Sequence, residues 1–168
     1  ELDMVEEIVR RNQASVVIVD EAYVDFAGRS AMELIDKYEN LIVVQTFSKA
    51  RSMAGMRIGY AVGNPRLISY LNDAKYSFNS YTMNQAALVC GVEAVKDREY
   101  FEEGLHKIIT TREWAKVRLG ELGFRYLDSS ANFIFASHRR VPAREIFEKL
   151  KENDIYVRWW DKERIRNY

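Results

Sequence analysis

Cysteine is almost absent. The single Cys90 has no intramolecular partner, which excludes a disulfide scaffold. It points to a reducing compartment, with the cytoplasm as the expected location. Proline is nearly as scarce, with two residues, and no proline-rich or low-complexity segment divides the chain. Net charge is missing: 25 basic and 25 acidic residues cancel. That balance gives no support to nucleic acid or an anionic membrane as a partner. No apolar run approaches the ~18 residues needed to span a bilayer. The two histidines, His106 and His138, lie far apart without ligand-spaced neighbours, so no metal site is expected. No internal repeat is visible.

What is present is a folded composition. The 168 residues are 48% hydrophobic and 30% charged, enough for one compact domain or parts of two. Residues 3–12 carry Met4, Val5, Ile8 and Val9 on a helical face. The β-branched run Val16 to Val19 reads as a strand buried on both faces, as in a parallel sheet. Ser30 and Glu33 fit a capping box opening a short helix to about Tyr38, with Asn40 as its terminator. Leu41 to Thr46 is the second strand and Arg57 to Gly63 the third. Pro65 opens a helix through Leu71, and residues 84–95 form an Ala-rich helix in which Cys90 reads as a packed small residue. A long helix follows over residues 97–122, closed by Gly123. Phe124 to Leu127, Asn132 to Ala136 and Ile155 to Trp160 read as strands of a smaller unit, with a helix opened by Pro142 between them. The fold class is α/β: part of a large parallel-sheet domain (1–97), an interdomain helix (98–122) and a small α+β domain (123–168).

Two groups of polar residues stand at the ends of the first two strands, where open α/β sheets place ligands. The first is Asp20-Glu21-Ala22-Tyr23 and the second Ser48-Lys49. Taken singly, Asp20 reads as a cap and Lys49 as a surface charge. Together with Arg57 they match one ligand. A pyridinium ring bearing a phosphate needs an acid at the ring nitrogen, a donor at the phenolic oxygen, an amine for the aldehyde, and a cation with a hydroxyl for the phosphate. That ligand is pyridoxal 5'-phosphate.

The segments VIVDEAYVDF, TFSKARSMAGMRIGY, SANFIF and YVRWWDKERIRNY closely resemble fold-type I aminotransferases. Within them the chain is most similar to the branch acting on histidinol phosphate. The resemblance implies that Lys49 holds the cofactor covalently and moves the substrate proton. Asp20 would face the pyridine nitrogen and Tyr23 the phenolic oxygen, while Ser48 and Arg57 hold the phosphate. It further implies L-histidinol phosphate as amino donor, 2-oxoglutarate as acceptor, a role in histidine biosynthesis, and a homodimer. The aromatic segment 76–81 would approach the dimer interface. Arg158 is either a ligand of the substrate phosphate or a surface arginine over Trp159 and Trp160. Asn132 reads as a structural turn residue. Trp159 and Trp160 are either core or an uncovered face.

Alternatives are a threonine-phosphate decarboxylase, an aromatic aminotransferase, or the ligand-sensing domain of a transcription regulator. The chain reads as a fragment. The family's glycine-rich phosphate turn, its ring-stacking residue and an asparagine would precede it, and the substrate-carboxylate arginine would follow it. The 168 residues by themselves are therefore expected to lack transaminase activity.

Overall fold

The computed structural model describes residues 2–168. Internal packing divides the chain into two compact units, one ending at His106 and the other spanning Lys107–Tyr168.

The first unit opens with helix α1, Leu2–Arg11. Strands β1 (Val17–Asp20), β2 (Leu41–Thr46) and β3 (Gly59–Gly63) follow. They form one sheet in the order β1-β2-β3. β1 runs parallel to β2, with Asp20 beside Val44, and β3 runs antiparallel to β2. The sheet is therefore mixed. Gly63 is required by this pairing, since a Cβ there would come within 2.8 Å of the Leu41 carbonyl oxygen. The apolar residues of α1 and β2 explain the core: Val9, Leu41 and Val43 are fully buried with Ala31 and Leu34. The expectation that β1 is buried on both faces is corrected. Its burial alternates, and Ile18 is 61% exposed. β1 is an edge strand with one face uncovered among the described residues.

Residues 30–38 also differ from expectation. They form only a short 3-10 turn, Ala31–Leu34. Ser30 accepts from Met32 N, while Glu33 pairs with Arg29 instead of closing a capping box. Asn40, expected as a helix terminator, is a buried tether. Its Nδ2 donates to the carbonyls of Val9, Asn12 and Ser15 at 3.2, 3.0 and 3.2 Å. These bonds fasten the α1–β1 connection to the start of β2. Asn40→Ala removes all three bonds, although Val9 O keeps Asn12 N and Gln13 Nε2 as donors and Asn12 O keeps Ser15 N, and it is expected to cost about 2 kcal/mol of unfolding free energy. Asn40→Asp costs more, because an acceptor then faces acceptors. Urea denaturation of the intact protein measures both; an unchanged midpoint would show that the carbonyls find other partners.

Helices α2 (Pro65–Phe78) and α3 (Gln85–Lys96) are each capped by an asparagine, Asn64 and Asn84. α3 packs Ala87 and Gly91 inward, and Ala87 joins Phe47 and Ile58 in a second cluster. Cys90 lies off that seam and is exposed, not packed as expected. Helix α4, Arg98–Glu121, continues into the second unit.

The second unit pairs β4 (Phe124–Tyr126) antiparallel with β5 (Ala136–His138) and carries helix α5, Ala143–Glu152. Gly123 turns the chain after α4 with φ +91°, a left-handed value that favours glycine. β5 starts later than the sequence suggests. Ser129 Oγ donates to the Phe133 carbonyl and accepts from Ala131 N, so residues 129–133 fold back on themselves. The expected strand over 155–160 is not formed. Ile155 N bonds back to Leu150 O and closes α5, and no strand partner exists for the segment among the described residues. Trp159 is half-buried and lies against Phe147, while Trp160 meets Phe135 edge-on.

Candidate active site

β1 and β2 are parallel neighbours, so their C-terminal ends lie side by side. Asp20 ends β1. It is exposed, and its Oδ1 accepts from Ala22 N at 3.0 Å. That bond turns the chain at Ala22, and Tyr23 leads from it into the 3-10 turn Val24–Phe26. A carboxylate that caps its own turn keeps further lone pairs for a ligand.

After β2, Phe47 and Ala50 are buried while Ser48 and Lys49 between them are half-buried. The two anchors hold the backbone, so the hydroxyl and the amine are presented at a fixed place. Ser52 N and Met53 N close this turn on Lys49 O and Phe47 O, each at 3.0 Å. Lys49 Nζ lies 5.3 Å from the centroid of the Tyr23 ring. Thr46 Oγ1 bonds to Ser48 Oγ at 2.9 Å and to Ile58 O at 3.2 Å. Phe47 N also bonds to Ile58 O. Arg57, next to Ile58, is thereby brought to the same strand end. It has a left-handed φ of 56°, which few non-glycine residues adopt. Its guanidinium donates one bond to Ala54 O at 2.8 Å and is otherwise exposed.

The structure thus brings together Asp20, Tyr23, Ser48, Lys49 and Arg57 within the first unit. Arg158 belongs to the second unit. It is exposed, on no strand, with its guanidinium 6.0 Å from the Trp160 ring centroid. Cover of a tryptophan face is what its own surroundings provide.

A family model for class I and II aminotransferases matches residues 1–166. The chain belongs to this aminotransferase family. It is 52% identical over 168 residues to the histidinol-phosphate aminotransferase of Brachyspira hyodysenteriae, covering 99% of this chain and 48% of that one. To the enzyme of that name from Clostridium botulinum strain Kyoto it is 50% identical over 167 residues, covering 99% and 47%. Among solved structures, it superposes on the Sinorhizobium meliloti histidinol-phosphate aminotransferase in complex with pyridoxal 5'-phosphate. The TM-score is 0.83 at 26% identity, over 96% of this chain and 46% of that one. The chain spans about half the length of these relatives.

Around this candidate site, several supporting residues escape a reading by motif. Glu21 accepts from Ser30 Oγ, Ala31 N and Gln45 Nε2. Gln45 in turn accepts from the Tyr60 hydroxyl. Arg51 lies over the rings of Phe47 and Phe101, at 5.2 and 4.1 Å, and donates to Ala94 O at 2.6 Å. It thereby ties the Lys49 turn to the end of α3. Burial raises the Asp25 carboxyl above its ordinary value, offset by the Arg51 charge and reinforced by Glu21. Burial also raises Tyr60, with Asp25 adding to it. Only the position of Glu21 next to Asp20 and of Arg51 two residues after Lys49 hints at these roles. Both histidines lie outside the cluster, and the His138 ring is spent on Leu122 O, Arg140 N and Val141 N.

Proposed function

We propose that this chain supplies the reactive lysine and part of the cofactor grip of a pyridoxal-phosphate-dependent histidinol-phosphate aminotransferase. The observation that carries the reading is the approach of Lys49 Nζ to the Tyr23 ring, 5.3 Å from its centroid, in the turn that Asp20 caps at Ala22 N. The donor set fits the cofactor. It offers a carboxylate for a pyridinium nitrogen, a phenol for the ring oxygen, an amine for an aldehyde, and a hydroxyl with a guanidinium for a phosphate. In this reading residues 1–97 belong to a large cofactor-binding domain, 98–122 to an interdomain helix and 123–168 to a small domain.

When bound, the cofactor supplies an electron sink for the charge left at the amino donor's Cα. Asp20 keeps the ring nitrogen protonated, since a carboxylate opposite a cation favours the charged pair. Tyr23 would donate to the phenolic oxygen. Ser48 and Arg57 would hold the phosphate. Lys49 would anchor the aldehyde, and its amine would be the base that moves the proton at the substrate Cα. Arg158 is assigned to the substrate's phosphate.

L-Histidinol phosphate is the amino donor and 2-oxoglutarate the acceptor, within histidine biosynthesis in the cytoplasm. The identity to relatives bearing the histidinol-phosphate name supports this donor. A homodimer is part of the reading. Phe78 and Tyr81 are 94% and 95% exposed, as aromatic rings that await a covering surface would be.

Amino transfer from L-histidinol phosphate, threonine phosphate and aromatic amino acids to 2-oxoglutarate, measured on the full-length protein, tests the assignment. L-Histidinol phosphate is expected to exceed the others in kcat/KM by about tenfold or more. A higher value for an aromatic amino acid, or decarboxylation of threonine phosphate, overturns the substrate.

A further inference from the structure

Glu21 follows Asp20 directly, yet its side chain makes a different set of bonds. Its backbone N–H extends the ladder onto Val44 O at 2.8 Å. Its Oε2 accepts from Ser30 Oγ at 2.6 Å and from Gln45 Nε2 at 2.8 Å. Its Oε1 accepts from Ala31 N at 2.6 Å. Gln45 Oε1 then accepts from the hydroxyl of Tyr60, which faces it across the β2–β3 ladder. One half-buried carboxylate thus closes the loop from Ala22 to Ser30 at its base. The same carboxylate reaches sideways to the neighbouring strand. Tyr23 is carried by that loop. Ser48 and Lys49 follow Gln45 at the end of the neighbouring strand.

We propose that Glu21 is a positioning residue for the reaction, holding the Asp20–Tyr23 strand end in fixed register with the Ser48–Lys49 turn through Gln45. The proposal rests on the aminotransferase reading above. Its physical basis is that an ionised carboxylate accepts several short bonds at once and strengthens each. A neutral amide at position 21 would have to turn an N–H toward a donor. With Gln45 Nε2 and Ala31 N both donating, either the Gln45 amide must rotate, reversing its bond with the Tyr60 hydroxyl, or the Ala31 bond must be given up. The side-chain link that supplements the backbone ladder between the two strand ends is then rearranged and weakened. Displacements of about 1 Å at reacting groups cost on the order of 10²-fold in rate.

The test uses the full-length protein with bound cofactor. Glu21→Gln is expected to lower kcat by about 10- to 100-fold while KM changes by less than about threefold. The pH midpoint of the visible cofactor band is expected to move, because it reads the placement of Tyr23 and Asp20 about the ring. Glu21→Gln combined with Gln45→Glu re-forms the bridge with donor and acceptor exchanged, and restores both kcat and midpoint. Gln45→Leu removes the sideways link while leaving the loop closed at Ser30 and Ala31. It shifts the midpoint in the same direction, and it carries the test if Glu21→Gln does not fold.

Single variants with a lowered melting temperature but unchanged kcat and midpoint overturn the proposal, leaving Glu21 as a loop brace. A double variant no better than the worse single variant also overturns it. A wild-type protein without a visible cofactor band overturns the aminotransferase reading itself, and the proposal falls with it.

Discussion

Lys49→Ala in the full-length protein is expected to abolish the covalently held cofactor band and to lower turnover by about 10⁴-fold. In the proposed role two losses combine: the amine that would hold the aldehyde is gone, and so is the base that would move the proton at the substrate Cα. The fold should tolerate the change. Lys49 lies between the buried anchors Phe47 and Ala50 and is itself only half-buried. The turn around it is closed by backbone bonds from Ser52 and Met53 that no side chain at 49 supplies. Melting should therefore stay close to wild type while activity vanishes. Lys49→Arg separates charge from nucleophilicity: it keeps the cation beside Tyr23 but forms no covalent link, and it should be as inactive as alanine. Turnover within tenfold of wild type in either variant would remove Lys49 from the chemistry.

Asp20→Asn is the second large effect, with an expected fall in kcat of about 10²- to 10³-fold. Asparagine is the informative replacement. Its side-chain oxygen can still accept from Ala22 N, as Asp20 Oδ1 does at 3.0 Å, so the turn that carries Tyr23 survives. Only the negative charge is removed. In the proposed role the ring nitrogen would then lose the partner that keeps it protonated, and electron withdrawal from Cα would weaken. The cofactor should remain bound through Lys49, Ser48 and Arg57, so the visible band persists while kcat drops. An Asp20→Asn protein with wild-type kcat would reduce Asp20 to the turn cap that its own hydrogen bond describes. Asp20→Ala removes charge and cap together, and it should cost stability as well.

The elements that the sequence predicts well share one property: their signals are local. β2 over Leu41–Thr46 is an apolar run with polar ends. α2 begins at Pro65 behind the Asn64 cap, and α4 ends before Gly123. The misread elements depended on neighbours. Residues 155–160 have the β-branched and aromatic character of a strand, but a strand needs an edge to pair with, and none is available to them among the described residues. Ser30 and Glu33 have capping-box spacing, yet Glu33 found Arg29, and Ala31 N found Glu21. Helix composition suggests a packed Cys90, whereas the seam of α3 is set by what Phe47 and Ile58 can reach, which is Ala87 and Gly91.

The candidate site divides in the same way. Which residue types could serve a pyridinium, an aldehyde and a phosphate is a matter of side-chain chemistry. Asp20, Tyr23, Ser48, Lys49 and Arg57 stand out in the chain as candidates for that reason, and the α/β alternation that puts strand ends side by side is legible there too. Hydrogen-bond partners distant in sequence are not encoded in any local pattern. Only the tertiary structure joined Glu21 to Gln45 and Gln45 to Tyr60, turned Arg51 onto Phe101, and left Arg158 beside Trp160. Those choices are decided by which donors and acceptors packing brings within about 3 Å and which it leaves to water.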